Sequence, residues 1–474
     1  MTEKLTDPNK PAHEIFEVLE DGDAIRNDGV RLQAANKNPW YVLATIYGEQ
    51  EDGATLLDHD KVLAGKNRSA WNRWIGGSLQ ATNDEVEITN LFRSRLGDNN
   101  AVLPDFRGKI DFSKVYFHTS VCFIGFSFGR DCEFIEAHFA KNALFNSTSF
   151  AGNAHFIKAT FQGYANFRQA SFLHTANFRT ASFMDASLFD SVKFESNVCF
   201  QSATFHSGTG FIKTVFAGET QFDWYGNDGF GFEKAPHAVR FVGKAFFNAA
   251  KFKAKTRFTD AQFLTHVPEF HAAELYDDTV FPTPDNYTDN WPPLKGNNVM
   301  PAADQKRAYN RLRLFMNRSL QIEEEQFFHR QEMRCKTRLA RWYHKPFYWL
   351  YAWLSDYGNS VWRPMVGIIA VMLFGAAFML WWQEAFTFLP KESTGFDWTM
   401  GLLGEDDPWA KPRQAAGWSI SNTLPFLGFG KLYYGELAKE LAWPLKVAGG
   451  VQTLLGYVLL FFLGLGLRNR FRLR

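Results

Sequence analysis

Residues 165–183 read ANFRQASFLHTANFRTASF, and the spacing of their aromatic residues indicates the fold. Its phenylalanines, Phe167, Phe172, Phe178 and Phe183, are separated by alternating steps of five and six residues, so two steps make a unit of eleven. An alanine lies two positions before each ring. Residues i−2 and i of an extended chain face the same side. The pattern therefore predicts a repeated extended segment that turns one small and one large side chain inward.

The same alternation runs from Phe106 to Phe222 and resumes from Phe241 to Phe263. The chain holds 49 Phe against 15 Tyr and 15 Trp, which indicates one structural position filled many times. Rings can form columns only if each five-residue step stacks on a five-residue step and each six-residue step on a six-residue step. A unit of two steps closes evenly on four sides, which gives 22 residues per coil. The expected core ladder includes Phe106, Phe128, Phe150, Phe172, Phe178, Phe194 and Phe216.

The units Ala165–Gln169 and Ala176–Thr180 resemble the pentapeptide-repeat family, in its phenylalanine-centred variant with alternating spacing. The resemblance covers about residues 106–263. It implies a mainly β fold, a right-handed, four-sided β-helix. A familiar role in that family is DNA mimicry, which needs an acidic surface. Residues 104–263 hold 17 Lys plus Arg against 13 Asp plus Glu, so we do not expect that role.

The ladder has one interruption. Between its two blocks the register slips by three residues, and Phe230 still fits the later block because it lies eleven positions before Phe241. The extra residues then fall near 223–229, which predicts a bulged corner. The alternative is a contact loop that presents Trp224 and Tyr225 to a partner.

The flanks lack the ladder. We expect residues 1–100 to form an N-terminal capping region, since the open ends of a solenoid must be covered. The solenoid is predicted over 101–281. Residues 282–302 are rich in Pro and Asn and indicate a linker, and the charged segment 303–362 predicts cytoplasmic juxtamembrane helices.

Two uncharged stretches near the C-terminus are long enough to span a bilayer, and they predict transmembrane helices over 363–383 and 445–468. Basic residues are concentrated before the first span and after the second: Arg334, Lys336, Arg338, Arg341, Lys345 and Arg363, then Arg468, Arg470, Arg472 and Arg474. By the positive-inside rule both termini and the solenoid are cytoplasmic, and 384–444 is an external loop. We expect an integral protein of a bacterial inner membrane.

The loop contains an apolar segment, 417–431, that is too short to span and is predicted to be interfacial or re-entrant. Two helices around a Gly-Phe-Gly sequence resemble the pore module of tetrameric cation channels. This chain departs from that pattern, with Phe426 in place of the filter threonine and Lys431 where an acid is common. The candidate pore or re-entrant residues are Thr423, Gly428, Phe429 and Gly430.

The sequence shows no nucleophile–base pair, phosphate loop, paired carboxylates or metal-ligand spacing, and it predicts a non-enzyme without a cofactor. The net charge of +1 gives no indication of nucleic-acid binding. The expected partners are the bilayer and an unidentified protein, which makes the chain a membrane-anchored interaction scaffold. The alternative is an oligomeric channel-like protein, a tetramer if a pore forms, with the solenoid as its regulatory domain.

Overall fold

The computed structural model describes residues 11–51, 55, 57–78, 83–223, 238–283, 289–296, 298–385, 410–428 and 443–471. The chain divides into a first unit, Met1–Cys335, and a second unit, Lys336–Arg474. The boundary lies within a helix, Ile322–Leu339.

The first unit is built on a β-solenoid of four sheets. Most strands have two residues, and each pairs in parallel with the strand one coil away, as Ala143 does with Val121 and Ala165. The regular coil therefore has 22 residues, as the ladder predicts.

Sheet 1 contains β1 (Ile15–Val18), β2 (Ala24–Arg26), β3 (Arg31–Ala34), β5 (Val115–Phe117), β9 (His138–Phe139), β13 (Thr160–Phe161), β17 (Ser182–Phe183), β21 (Thr204–Phe205), β25 (Arg240–Phe241) and β29 (Gln262–Phe263). Sheet 2 contains β6 (Val121–Cys122), β10 (Ala143–Leu144), β14 (Ala165–Asn166), β18 (Ser187–Leu188), β22 (Thr209–Gly210) and β26 (Ala245–Phe246). Sheet 3 contains β7 (Ser127–Phe128), β11 (Ser149–Phe150), β15 (Ser171–Phe172), β19 (Lys193–Phe194), β23 (Val215–Phe216) and β27 (Lys251–Phe252). Sheet 4 contains β4 (Ile110–Asp111), β8 (Cys132–Glu133), β12 (Ala154–His155), β16 (Ala176–Asn177), β20 (Val198–Cys199), β24 (Thr220–Gln221) and β28 (Thr256–Arg257).

Columns of stacked rings fill the solenoid. In the column that lies under sheet 3, consecutive ring centroids are 4.5 to 5.3 Å apart, and its members are Phe128, Phe150, Phe172, Phe194, Phe216 and Phe252. Phe178 belongs to a neighbouring column, between Phe156 and Phe200. These rings are almost completely buried, and alanines such as Ala170 and Ala176 are buried beside them. The coil spacing of a parallel sheet thus sets the ring spacing.

Phe106 corrects the predicted ladder. It lies in a turn, is only partly buried and meets the edge of Trp74, with 6.3 Å between ring centroids. Trp71 instead contacts Phe128 at that end of the column, at 5.5 Å. The six-and-five spacing continues to Phe106 in the sequence. In the structure, however, the helix Lys61–Ile75, which carries Trp71 and Trp74, covers the end of the column, and Phe106 does not join it.

The interruption is also longer than predicted. Phe205 stacks directly on Phe241, 36 positions later, where 22 is the rule. The insertion is therefore 14 residues and not three. Trp224, Tyr225 and Phe230 lie outside the described residues.

The N-terminal region covers one end of the solenoid. Strand β3 joins sheet 1 by pairing in parallel with β5, through Gln33 and Val115. A short 3-10 helix, Ala35–Lys37, leads into α1 (Pro39–Ala44), α2 (Lys61–Ile75) and α3 (Asn83–Leu96). Trp71 of α2 is fully buried, and its indole Nε1 donates to the Ser127 carbonyl at 2.9 Å. This end of the aromatic core is therefore sealed by side chains from the first hundred residues.

The other end is sealed by residues that were predicted to form a linker and juxtamembrane helices. The rings of Phe270 and Phe281 extend the ladder, and Trp291, only 4% exposed, packs on Phe263 and Phe328. Helices α4 (Ala302–Arg318) and α5 (Ile322–Leu339) supply the rest of this cap. The prediction of a linker over 282–302 is wrong because Trp291, within this segment, is buried against Phe263 and Phe328. Residues 284–288 and 297 lie outside the described parts.

The second unit is helical. It contains α6 (Lys345–Ser355), α7 (Trp362–Ala385), α8 (Ala410–Thr423), a 3-10 turn (Pro425–Leu427) and α9 (Trp443–Phe471). Helices α7 and α9 are long and apolar enough to cross a membrane. Only 11% and 22% of their apolar windows are buried, whereas the core helix of a soluble protein would be mostly buried. These helices, Trp362–Ala385 and Trp443–Phe471, contain the segments 363–383 and 445–468.

Candidate functional site

The outward residues of the four sheets form the lateral surface of the solenoid. Sheet 3 presents mainly serine and lysine, such as Ser149, Ser171 and Lys193, because its phenylalanines point inward. Sheet 2 differs, since it turns its small residues inward and its second strand residue outward. Four of the outward residues of sheet 2 are apolar: Cys122, Leu144, Leu188 and Phe246.

The outer face of sheet 2 is flat and internally braced. A β-carbon on Gly210 would lie 2.5 Å from the Asp190 carboxylate, so only glycine lets this carboxylate lie over the sheet. Asp190 accepts from the Ile212 amide at 3.0 Å and pairs with the Arg168 Nε at 3.1 Å. Leu188 and Phe246 are partly exposed on this face, whereas Leu144 is fully buried. The face therefore combines two partly exposed apolar side chains with one charge pair.

Sheet 4 is polar on the outside. Asp223 pairs with Arg257 at 2.9 Å and accepts from Gln201 at 2.7 Å, and Arg257 also pairs with Glu219 at 2.7 Å. Partly exposed ion pairs of this kind contribute little to stability. This face offers exchangeable polar contacts rather than a hydrophobic surface.

A buried histidine lies on the outer face of sheet 1. His138 is only 2% exposed, and Arg26 and His13 of the N-terminal region lie close enough to act on its charge. Burial, and then these cationic neighbours, lower the pKa of His138 to about 3. The imidazole is thus neutral near pH 7 and less suited to bind an anion. The N-terminal region therefore covers part of the outer face of sheet 1.

Helix α8 packs against both apolar helices of the second unit. The Ser419 hydroxyl donates to the Met372 carbonyl at 2.6 Å, near the middle of α7. Gln452 of α9 donates to the Ser419 carbonyl at 3.0 Å and to the Thr423 hydroxyl at 2.8 Å. Gly456 permits the close approach, since a β-carbon there would lie 2.2 Å from the Thr423 carbonyl. The C-terminal end of α8 is therefore fixed against the middle of both spans.

This arrangement locates the predicted pore or re-entrant residues. Thr423 is fully buried, and its hydroxyl donates to the Ser419 carbonyl at 2.8 Å. Gly428 has a φ of +74° and ends the 3-10 turn, while Phe426 is 62% exposed. Phe429 and Gly430 lie outside the described residues. Helix α8 packs near the middle of α7 and α9 rather than on their ends. The sequence analysis missed Gln452, although a glutamine inside an uncharged span is a signal for such a buried contact.

Comparison with known families matches residues 123–171 to Pentapeptide repeats (9 copies). The stacked phenylalanine columns, the 22-residue coil and this match agree. Residues 123–171 are therefore similar to pentapeptide repeats, and the same 22-residue coil continues on both sides of the matched segment. No curated protein and no solved structure matches the chain.

Pentapeptide-repeat solenoids are typically non-enzymatic structural or interaction domains, and the thiols of this one fit that role. Burial raises the pKa of the Cys122 thiol to about 11 and also raises those of Cys132 and Cys199. Thiols with raised pKa values are poor nucleophiles and poor metal ligands near neutral pH. Within the described residues, no group of three His, Cys, Asp or Glu side chains could hold a metal ion.

Proposed function

We propose that the protein is a membrane-anchored, non-catalytic scaffold whose pentapeptide-repeat solenoid binds a protein partner. The observation that carries the proposal is the combination of a solenoid sealed at both ends with two apolar helices in the same chain. Sealed ends leave the sheet faces as the surface available for binding. The helices confine that surface to a membrane.

The rigidity of the solenoid supports this role. Each inner ring contacts rings of the coils above and below, and each coil donates backbone hydrogen bonds to the next, as Phe178 does to the Cys199 carbonyl at 2.7 Å. A preformed surface loses little conformational entropy on binding. The partner therefore meets a surface that needs no reorganisation.

The outer face of sheet 2 is the best candidate for the contact. Leu188 and Phe246 are partly exposed on this face, which also carries the Arg168–Asp190 pair. Protein interfaces commonly have an apolar centre and a polar rim. Sheets 3 and 4 present mostly serine, lysine and ion pairs, so they lack such a centre.

The orientation of the anchor follows from charge. Five Lys or Arg and a single Asp lie between residues 336 and 363, before and at the start of α7, and Arg468 and Arg470 end α9. Basic residues favour the cytoplasmic side. This supports a cytoplasmic location for both termini and for the solenoid, and we infer a bacterial inner membrane.

Photo-crosslinking from the membrane tests the scaffold. A photoreactive amino acid replaces Leu188 on sheet 2 or, as the matched control, exposed Lys193 on sheet 3. We expect a discrete crosslinked protein from position 188 and none from position 193. With the photoreactive amino acid placed at Phe246 instead, the charged variant Leu188→Glu should abolish the crosslink. Equal crosslinking from both positions would reject sheet 2 as the contact face, and none from either would reject the scaffold.

The channel alternative is not favoured. Thr423 directs its hydroxyl into the packing of α8, so it lines no open path, and Phe426 places an aromatic ring in the filter position. We therefore expect equal, background-level currents from the wild-type chain and from Gly428→Val in planar bilayers. A wild-type current that is lost in the variant would reverse this conclusion.

A further inference from the structure

Helix α6 and the residues just before it carry an unusual set of exposed aromatic side chains. The exposed fractions are 81% for Trp342, 71% for Phe347, 62% for Trp349 and 74% for Trp353, and Leu350 is also exposed. These residues lie within twelve positions of one another. Soluble surfaces rarely present so many large apolar groups together.

The outward side chains of α6 follow helical spacing. Phe347, Leu350 and Trp353 are three residues apart and form one stripe, with Trp349 beside it. The opposite side of the helix is packed, since Tyr351 stacks on Phe462 of α9 with 5.6 Å between ring centroids. The helix is therefore attached by one side and leaves an apolar stripe on the other.

A rigid turn holds α6 in this position. Asp356, Tyr357 and Gly358 all have positive φ angles, of 48°, 57° and 85°. Gly358 has a φ of +85°, which strains any larger residue, and a β-carbon there would lie 2.8 Å from the Tyr351 hydroxyl. The Ser355 hydroxyl accepts from the Gly358 amide at 3.1 Å. The orientation of α6 is thus built into the fold of the second unit.

The same contacts fix the depth of α6. The Arg363 guanidinium, at the start of α7, donates to the Ala352 carbonyl at 2.9 Å. The Asn469 amide, near the end of α9, donates to the Gly358 carbonyl at 2.9 Å. Helix α6 therefore lies at the basic ends of both apolar helices. Its eleven residues extend about 16 Å, too short to span ~30 Å of hydrocarbon.

The charges around the stripe are mainly positive. Arg338 and Arg341 are exposed just before α6, Lys345 begins it, and Arg363 caps its end. Asp356 lies 4.0 Å from Arg363. A cationic rim beside tryptophans that lie at a membrane boundary is complementary to anionic headgroups.

We infer that α6 lies flat in the membrane interface, with its aromatic stripe in the acyl boundary, and that the adjoining basic residues bind anionic phospholipid headgroups. The inference rests on the proposed membrane anchor and adds a lipid preference to it. A bilayer is the occupant because α6 lies at the ends of α7 and α9, whose exposed apolar sides themselves require lipid. The contact would hold the second unit at a defined depth.

Spin labelling of the full chain in vesicles of phosphatidylcholine and phosphatidylglycerol tests the depth of α6. Labels are placed at Trp353→Cys and, as the control, at Leu173→Cys on the solenoid surface, where leucine is 47% exposed. We expect the label at position 353 to be more accessible to oxygen than to a water-soluble nickel chelate, and the label at position 173 to show the reverse. Equal nickel access at both positions would overturn the inference.

Lipid selectivity tests the headgroup contact. Spin-labelled phosphatidylglycerol should be retained at the protein several-fold more than phosphatidylcholine. In Arg341→Gln/Lys345→Gln the ratio should fall toward one. Arg307→Gln, an exposed arginine of the first unit, should leave it unchanged. An unaltered ratio in the double variant would overturn the lipid preference. Extraction of the chain by alkaline carbonate would refute the anchor itself, and retention with a water-exposed label at 353 would refute the placement of α6 alone.

Discussion

Phe178→Ala should open a gap that the solenoid cannot close. The ring is fully buried between Phe156 at 4.8 Å and Phe200 at 4.9 Å, with Phe167 and Phe189 edge-on at 5.6 and 5.5 Å. Backbone hydrogen bonds fix the coil spacing, so the flanking rings cannot move together. Loss of a core phenylalanine costs about 3–5 kcal/mol, and a gap that cannot relax belongs to the upper half of that range.

The control is one residue away. Asn177 lies on the outer face of sheet 4 and accepts from the Arg179 amide at 3.0 Å. Asn177→Asp keeps this acceptor, so its cost should be under about 0.5 kcal/mol. Comparison of the two variants therefore distinguishes an inward position from an outward position at adjacent residues.

Hydrogen exchange of the full-length chain in detergent, read by mass spectrometry, measures the effect. A loss of about 4 kcal/mol should speed exchange of the Phe178 and Thr180 amides by roughly three orders of magnitude. Because a solenoid is stabilised by contacts between neighbouring coils, amides near Phe258 should change far less. Similar acceleration by both substitutions would refute the assignment of faces, and uniform acceleration along the solenoid would refute local coupling.

Three further predictions concern pH, helix packing and backbone strain. Because the pKa of His138 is lowered to about 3, the contribution of its neutral imidazole to folding stability is fully present above 6.5, the pKa in the unfolded chain. This contribution is lost as the pH falls toward 3. Between pH 7.5 and pH 5 the free energy of unfolding of the wild type should fall by about 2 kcal/mol more than that of His138→Gln. Gly456→Ala should lower the thermal midpoint, because its methyl group meets the Thr423 carbonyl, whereas Gly464→Ala on the same helix, facing open space, should not. Thr180→Gly should raise the midpoint by relieving a left-handed φ of 54°, a net gain of about 0.5 kcal/mol in chemical denaturation.

Periodicity in the sequence predicts the coil, because the same inward position recurs and every ring contacts its equivalents. It does not predict where the ladder ends. Phe106 keeps the spacing and lies against Trp74, while Trp291, within a Pro-rich stretch, fills the opposite end. Both depend on contacts between segments distant in sequence. The interruption of the ladder shows the same limit. The 14 inserted residues equal one eleven-residue unit plus three, so the spacing alone reveals only a shift of three residues.

The membrane unit was less predictable for a related reason. Lack of charge identifies α7 and α9 from composition alone, but it does not show what lies between them. The position of α8 depends on one glutamine, Gln452, and on two glycines, Gly375 and Gly456, that admit its side chains and backbone. Glycine is common in membrane helices, so these residues carry little signal until their neighbours are known.

Strained corners explain how so repetitive a sequence keeps one register. Residues with left-handed φ recur every eleven positions, two after a phenylalanine, and most are not glycine: Lys114, Glu136, Ser147, Lys158, Gln169, Thr180, Ser191, Ser202 and Lys213. Each such residue costs about 1–2 kcal/mol. The amide of each corner donates to the next coil, as that of Lys158 does to the Arg179 carbonyl at 2.9 Å. A slip of one residue would move the strain to positions without this support and turn the phenylalanines outward. The corners and the rings therefore select the same register, which fixes the residues that each sheet of the solenoid turns outward.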